Sequence, residues 1–175
     1  MSTTTNPTGI GAPVRRKEEF RFITGQGQYT DDVVRPGETK AIFVRSPHAH
    51  AKIKSIDVTA ARKMPGVVDV LTGEQLATDK IGSLICGWMI HSKDGTPMHM
   101  APHPALASGK VNCVCDAVAV VIAETTSQGK DAAEQVKVDY DVLQAVVDPA
   151  KAQTKGAPQI QPDTAKNPLY HWTRG

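Results

Sequence analysis

Ala117-Val118-Ala119-Val120-Val121-Ile122-Ala123 is followed by Glu124 and then by Thr125-Thr126-Ser127-Gln128. The first seven residues form an unbroken apolar run of strand length. A strand with one wet face alternates, so this run predicts a strand buried on both faces. Thr125 with Gln128 three residues on fits a helix-opening capping box. Gly129, Ala132, Ala133 and Val136 then recur on one helical face. From Val136 the period changes to two. Val136, Val138, Tyr140 and Val142 alternate with Lys137, Asp139 and Asp141, which predicts a half-buried strand. The stretch 117–142 is therefore an α/β unit with a small-residue helix. It contains no pattern for a nucleophile, a metal site or a phosphate loop.

The strand vocabulary extends outward from this unit. Lys40–Arg45, Ala51–Ile56 and Val67–Leu71 are rich in β-formers. Ser46-Pro47-His48-Ala49-His50 reads as a turn, since Pro47 biases Ser46 away from helix. Asp57 is placed to cap a helix over Val58–Met64, with Ala60, Ala61 and Met64 inward, and Pro65-Gly66 stops it. Thr72 to Gln75 repeats the capping-box pattern. Glu18–Ile23 predicts a short helical turn. Residues 78–109 hold Cys86, Trp88 and three histidines among prolines and glycines, with no periodicity. A loop of that length in a small domain is usually functional or interfacial. Residues 1–17 read as an N-terminal arm. Residues 149–175 read as a C-terminal arm carrying Tyr170 and Trp172, aromatics placed to dock on something.

The chain has 175 residues, 40 % of them hydrophobic but only 5 % aromatic, so a core must be built from small side chains. Net charge is +2 with acids and bases interspersed. That excludes the basic footprint of a nucleic-acid or anionic-membrane binder. No window approaches a membrane span, and the polar N-terminus has no signal-peptide core. Three cysteines make an odd count, which points to a reducing cytoplasm rather than a disulfide framework.

Five groups invite chemical readings. Asp31 and Asp32 are adjacent carboxylates, but turn neighbours point apart and bond local backbone. Gly25-x-Gly27 lacks the strand, third glycine and helix of a dinucleotide loop. His48 and His50 share a face if extended, without a third zinc ligand at a recognisable spacing. Cys113-x-Cys115 sits in a strand pattern and is too close for a usual zinc pair; buried small thiols are the simpler reading. Cys86 with His91, His99 or His103 offers a Cys/His nucleophile pair, without the surrounding motif such enzymes carry. No catalytic, cofactor-binding or metal-binding residue is assigned.

Five motifs in order carry a resemblance. They are Arg21-x-x-x-Gly-x-Gly-x-Tyr-x-Asp-Asp32, Val44-Arg-Ser-Pro-His-Ala-His-Ala-Lys-Ile53, Met64-Pro-Gly-Val-Val-Asp-Val-Leu-Thr-Gly73, Val118-Ala-Val-Val-Ile-Ala-Glu-Thr125 and Asp131-Ala-Ala-Glu-x-Val-x-Val-Asp-Tyr140. Together they resemble the N-terminal a/b-hammerhead domain of the molybdopterin-binding large subunit in the aldehyde oxidase and xanthine dehydrogenase family. Cys86-Gly-Trp and His91-Ser-Lys-Asp-Gly-Thr-Pro are most similar to the carbon-monoxide-dehydrogenase-like branch. The implied fold is an α/β (α+β) a/b-hammerhead, a small mixed sheet with short helices, spanning 18–148 between the two arms.

The implied function is a hammerhead subunit or fragment of a molybdenum hydroxylase, acting on carbon monoxide, an aldehyde or an N-heteroaromatic. The chain alone is expected to be inactive and to bind no cofactor. Molybdopterin with molybdenum, [2Fe-2S] clusters and FAD are implied for the complex. The implied partners are the molybdopterin-binding remainder of the large subunit, a FAD subunit and an iron–sulfur subunit. A free-standing interaction or ligand-binding module is the other reading. The family's cofactor and catalytic motifs lie beyond the point where this chain stops, and none is carried over. Two departures stand out. Where the family has Val-Gly-x-Pro-Val, this chain has Val114-Cys-Asp-Ala-Val118, which places a Cβ where open backbone is expected. Gly129 stands where the helix usually has Ala, at a propensity cost of ~1 kcal/mol.

Overall fold

The structure is a computed structural model and describes residues 9–161, 164 and 167–172. The first eight residues of the N-terminal arm and the last three of the C-terminal arm lie outside the described residues. The chain forms two compact units, 1–38 and 39–175.

In the first unit, helix α1 spans Glu19–Ile23 and a 3-10 turn spans Thr30–Asp32. The rings of Phe22 and Tyr29 stack at 5.3 Å, and the Arg21 guanidinium lies 5.2 Å from the Phe22 centroid. Gly27 lies against the Phe22 ring, where a Cβ would collide. The second glycine of Gly25-x-Gly27 therefore serves an aromatic clasp rather than a phosphate loop.

The second unit holds β1 (Lys40–Arg45), β2 (Ala51–Asp57), α2 (Thr59–Arg62), β3 (Val67–Thr72), α3 (Gly73–Thr78), β4 (Lys110–Val111), β5 (Ala117–Ala123), α4 (Thr126–Ala133) and β6 (Lys137–Val142). The expected α/β hammerhead is what forms. Its strands resolve into two antiparallel sheets, ordered β1-β5-β3 and β4-β2-β6. β5 is central to the first sheet and buried along almost its whole length, as its unbroken apolar run predicts. Its register pairs Ile42 with Val121 on one side and Val70 with Val121 on the other.

Helix α4 lies over β1 and β5. Thr125 caps it, its Oγ1 accepting from Gln128 N at 3.3 Å, while that hydroxyl donates to Gln128 Oε1 at 2.8 Å. Gly129 and Ala132 are its buried positions. A Cβ on Gly129 would stand 2.6 Å from Ile42 Cγ1, so the glycine lets the helix approach the sheet closely. Beyond the helix the chain crosses to the other sheet, where β6 pairs with β2. On α2 the N-cap is Val58 rather than the expected Asp57, which stands one residue earlier and accepts from Thr59 N at 2.9 Å through Oδ1. Ala61 is buried, but Ala60 is exposed. Val58, with the expected Met64, packs against the buried cluster in place of Ala60.

The core matches the composition. Ala61, Val70, Val121, Ala123 and Ala132 form one buried cluster. Ala51, Ala107, Val111 and Val118 form the other, and Val44 packs against both. Each fully buried valine contributes roughly 1.5–3 kcal/mol.

Candidate functional site

Residues 79–109 contain no helix or strand, yet they are laced together. Ser83 bridges Pro104, and Leu84 N donates to His103 O at 2.8 Å. Further out His91 bridges Pro97, and Ser92 N donates to Thr96 O at 2.7 Å. Asp94 Oδ1 closes the tip by accepting from Thr96 N at 3.0 Å and Thr96 Oγ1 at 2.7 Å. These two donations hold the Asp94 carboxyl below its usual range, the hydroxyl contributing more than the amide. The result is an irregular hairpin, held by the turn chemistry of Asp94-Gly95.

The C-terminal arm runs along this hairpin. Lys93 N donates to His171 O at 2.9 Å, His99 N to Leu169 O at 3.0 Å, and His171 N to Ser92 Oγ at 3.2 Å. Hairpin and arm therefore form one body, joined by backbone donors. The large apolar side chains on it are not buried: Ile85 is 94 % exposed, Trp88 81 % and Trp172 59 %, with Leu84, Met100 and Tyr170 also exposed. Ordered backbone that presents tryptophans to solvent is the composition of an interface anchor. The separately expected loop and arm are thus brought together as one exposed face.

The candidate chemical groups fall apart or are absorbed into turns. Asp32 Oδ2 accepts from Tyr29 N at 2.8 Å, capping its own turn as expected. His48 and His50 do not converge. His48 meets the Tyr140 ring edge-on at 5.0 Å, while His50 is 5 % exposed with Nδ1 2.8 Å from Gln144 O. That contact places the His50 proton on Nδ1 and ties the start of β2 to the chain after β6, where Leu143 N donates to His50 O. Cys86 is exposed, and its Sγ contacts Trp88 O at 3.3 Å rather than an imidazole.

Cys113 and Cys115 are not in a strand and not buried, contrary to their sequence pattern. They sit in an exposed turn between β4 and β5. Asp116, which the sequence reading passed over, organises that turn. Its Oδ2 accepts from Asn112 N at 2.7 Å and Cys113 N at 3.1 Å, and its Oδ1 from Cys113 Sγ at 2.9 Å. Burial pushes the Asp116 carboxyl up, but the donations from Cys113 and Asn112, with nearby His103, outweigh it and hold it below the usual range. Asp116 also pushes the Cys113 thiol up, to about 11. An acid next to a turn closing onto a strand was the available signal. Among the described residues no group of three or more His, Cys, Asp or Glu side chains is placed to hold a metal ion.

Comparison with known proteins decides what this scaffold is. The a/b hammerhead domain of the aldehyde oxidase and xanthine dehydrogenase family matches residues 24–144. The chain belongs to that family. It is 36 % identical to the carbon monoxide dehydrogenase large chain of Afipia carboxidovorans, over 93 % of this chain and 20 % of that protein. It is 37 % identical to the gamma subunit of the 6-hydroxypseudooxynicotine dehydrogenase complex of Paenarthrobacter nicotinovorans, over 83 % of this chain and 18 % of that one. Among solved structures it resembles quinoline 2-oxidoreductase from Pseudomonas putida 86, with TM-score 0.77 and 34 % identity over 87 % of this chain and 19 % of that chain. The hammerhead chain thus spans about a fifth of the length of the curated relatives it matches. No helix among the described residues is long and apolar enough to cross a membrane.

Proposed function

We propose that this chain is the hammerhead part of a molybdenum hydroxylase large subunit, with a structural role. The hairpin 83–104 and the arm 167–172 form its docking face. The observation that carries this reading is that face itself. Its backbone is ordered by hydrogen bonds between distant segments, while Trp88 and Trp172 remain exposed. Such a surface loses little conformational entropy when covered, so its aromatic area contributes directly to binding. The occupant is the molybdopterin-binding remainder of the large subunit, with a FAD subunit and an iron–sulfur subunit beyond it. The hammerhead domain proper is 18–148, flanked by arms at 1–17 and 149–175, and the assembly is cytoplasmic.

The reaction proposed for the whole assembly is oxidative hydroxylation of carbon monoxide, an aldehyde or an N-heteroaromatic, in line with the relatives' names. A molybdenum cofactor would supply the oxygen-transfer chemistry, with [2Fe-2S] clusters and FAD taking the electrons. The described residues do not fit such a group. The two histidines of Ser46–His50 point to different partners, and the acidic and thiol groups are absorbed into turns. No chemical step is assigned to this chain.

Native mass spectrometry with metal analysis tests the proposal, on the chain purified gently from its source. Expected is a large assembly containing molybdenum and iron, in which acrylamide quenching of Trp88 and Trp172 is weaker than in the separated chain. A metal-free monomer, or turnover by the isolated chain, refutes it; the monomer result favours a free-standing interaction module.

A further inference from the structure

The turn Cys113-Val114-Cys115-Asp116 lines a cleft together with Leu84, Pro102, His103 and Pro104 of the hairpin. Asp116 N donates to Cys113 O at 3.3 Å, closing a four-residue turn. Cys115 has φ +72° while Val114 is not among the positive-φ residues, which makes this a type II turn with Cys115 at its third position. Glycine is favoured there, because a Cβ crowds the neighbouring carbonyl. A cysteine at this position costs stability, and strain of that kind is retained where a side chain serves a purpose.

Both thiols are exposed and line one cleft of about 440 Å³, beside Asp116 and His103. Folding the chain over Val114 draws the two Cα atoms closer than in a strand, into the range a disulfide spans. We propose that Cys113 and Cys115 form a reversible disulfide by exchange with a low-molecular-weight disulfide.

The two thiols have separate parts in this exchange. Asp116 Oδ1 accepts from Cys113 Sγ at 2.9 Å and pushes that thiol up to about 11, so Cys115 is the attacking group. The Cys115 thiolate attacks one sulfur of oxidised glutathione. The glutathione S–S bond breaks and one glutathione leaves as thiolate. Cys113 sulfur, oriented by its hydrogen bond to Asp116, then attacks the Cys115 sulfur, and its proton passes to the departing glutathione thiolate. The protein S–S bond forms and the second glutathione leaves. Two protein thiols are oxidised and one glutathione disulfide is reduced to two thiols. The ring closes where the sheets are joined: Cys115 N donates to Ser46 O at 2.9 Å, Ser46 N to Asp116 O at 2.8 Å, and Arg45 Nη1 to Cys115 O at 2.9 Å.

The test treats the full folded chain with oxidised glutathione, quenches it in acid, alkylates the remaining thiols and digests with trypsin. Cys113 and Cys115 fall on peptide 111–130, and Cys86 falls on 81–93 as a single-thiol control. Expected is a 111–130 peptide two hydrogen atoms lighter, with neither thiol alkylated and no glutathione attached, fully restored by reductant. Cys113→Ser should halt at a glutathione adduct on Cys115. In Cys115→Ser, Cys113 should react about tenfold slower than Cys115 does in Cys113→Ser, a difference that disappears in urea. A persistent glutathione adduct on Cys115 with Cys113 free, or no modification of either, overturns the proposal.

Discussion

Gly73→Ala is the sharpest probe of how the long hairpin is attached to the core. Gly73 opens α3 and is buried. It is not among the positive-φ glycines, so alanine meets no backbone objection. The objection is steric. A Cβ there would stand 2.5 Å from Ala107 O, 2.8 Å from Ala107 C and 2.8 Å from Leu106 O. Ordinary contacts begin near ~3.5 Å, and all three atoms belong to backbone that has no rotamer to change. Leu106 and Ala107 are themselves buried, and Ala107 N donates to Ala117 O at 2.7 Å. Relief by moving 106–107 would strain that hydrogen bond, worth ~1 kcal/mol. Overpacking adds roughly 1–3 kcal/mol. The expected loss is therefore about 2–4 kcal/mol, read as a lower urea midpoint in far-UV circular dichroism. Amide exchange at Ala107 should accelerate as well. Gly82→Ala is the control, since nothing lies within 4 Å of its Cβ position, and it should stay within ~0.5 kcal/mol of the parent. If Gly73→Ala shifts the midpoint no more than Gly82→Ala, the close approach of these segments is wrong.

Gly129→Ala should lower stability by about 1 kcal/mol, because the overlap with Ile42 Cγ1 exceeds the helix-propensity gain. In an Ile42→Ala background the same change should be neutral or stabilising, and a stabilised single variant sinks the packing argument. Cys115→Gly should raise stability by roughly 0.5–1 kcal/mol, through relief of the positive φ less the added freedom of the unfolded chain; an unchanged or lower urea midpoint counts against it. Burial raises the Asp116 carboxyl, but the hydrogen bonds from Cys113 and Asn112 outweigh it and hold it below the usual carboxylate range. Its contribution is present above the unfolded carboxylate pKa and lost as pH falls through the folded one. Asp116→Asn should therefore flatten the acid limb of stability against pH, and an identical acid limb in the two proteins contradicts the assignment.

Local chemistry made much of this legible. The unbroken run Ala117–Ala123 could satisfy its burial only at the centre of a sheet, and it lies there. Thr125 and Gln128 marked the start of α4 because a cap needs only residues three apart. The positive φ at Cys115 was foreshadowed by the family's glycine at that place. The misreadings share a cause. Cys113 and Cys115 read as strand because an apolar alternation cannot report a turn closed by an acid one residue further on. The packing of Gly129 went unread because the sequence does not show that Ile42 lies against it.

The sequence by itself determined the elements, the small-residue core and the family, since periodicity, caps and turn residues act over a few neighbours. Only the tertiary structure decided which strands share a sheet, which segments Gly73 and Gly129 lie against, and that the arm at 167–172 lies along the hairpin at 83–104. Those outcomes depend on contacts between residues far apart in the chain. Backbone donors and acceptors are the same at every position, so His99 N meeting Leu169 O leaves no mark in the sequence.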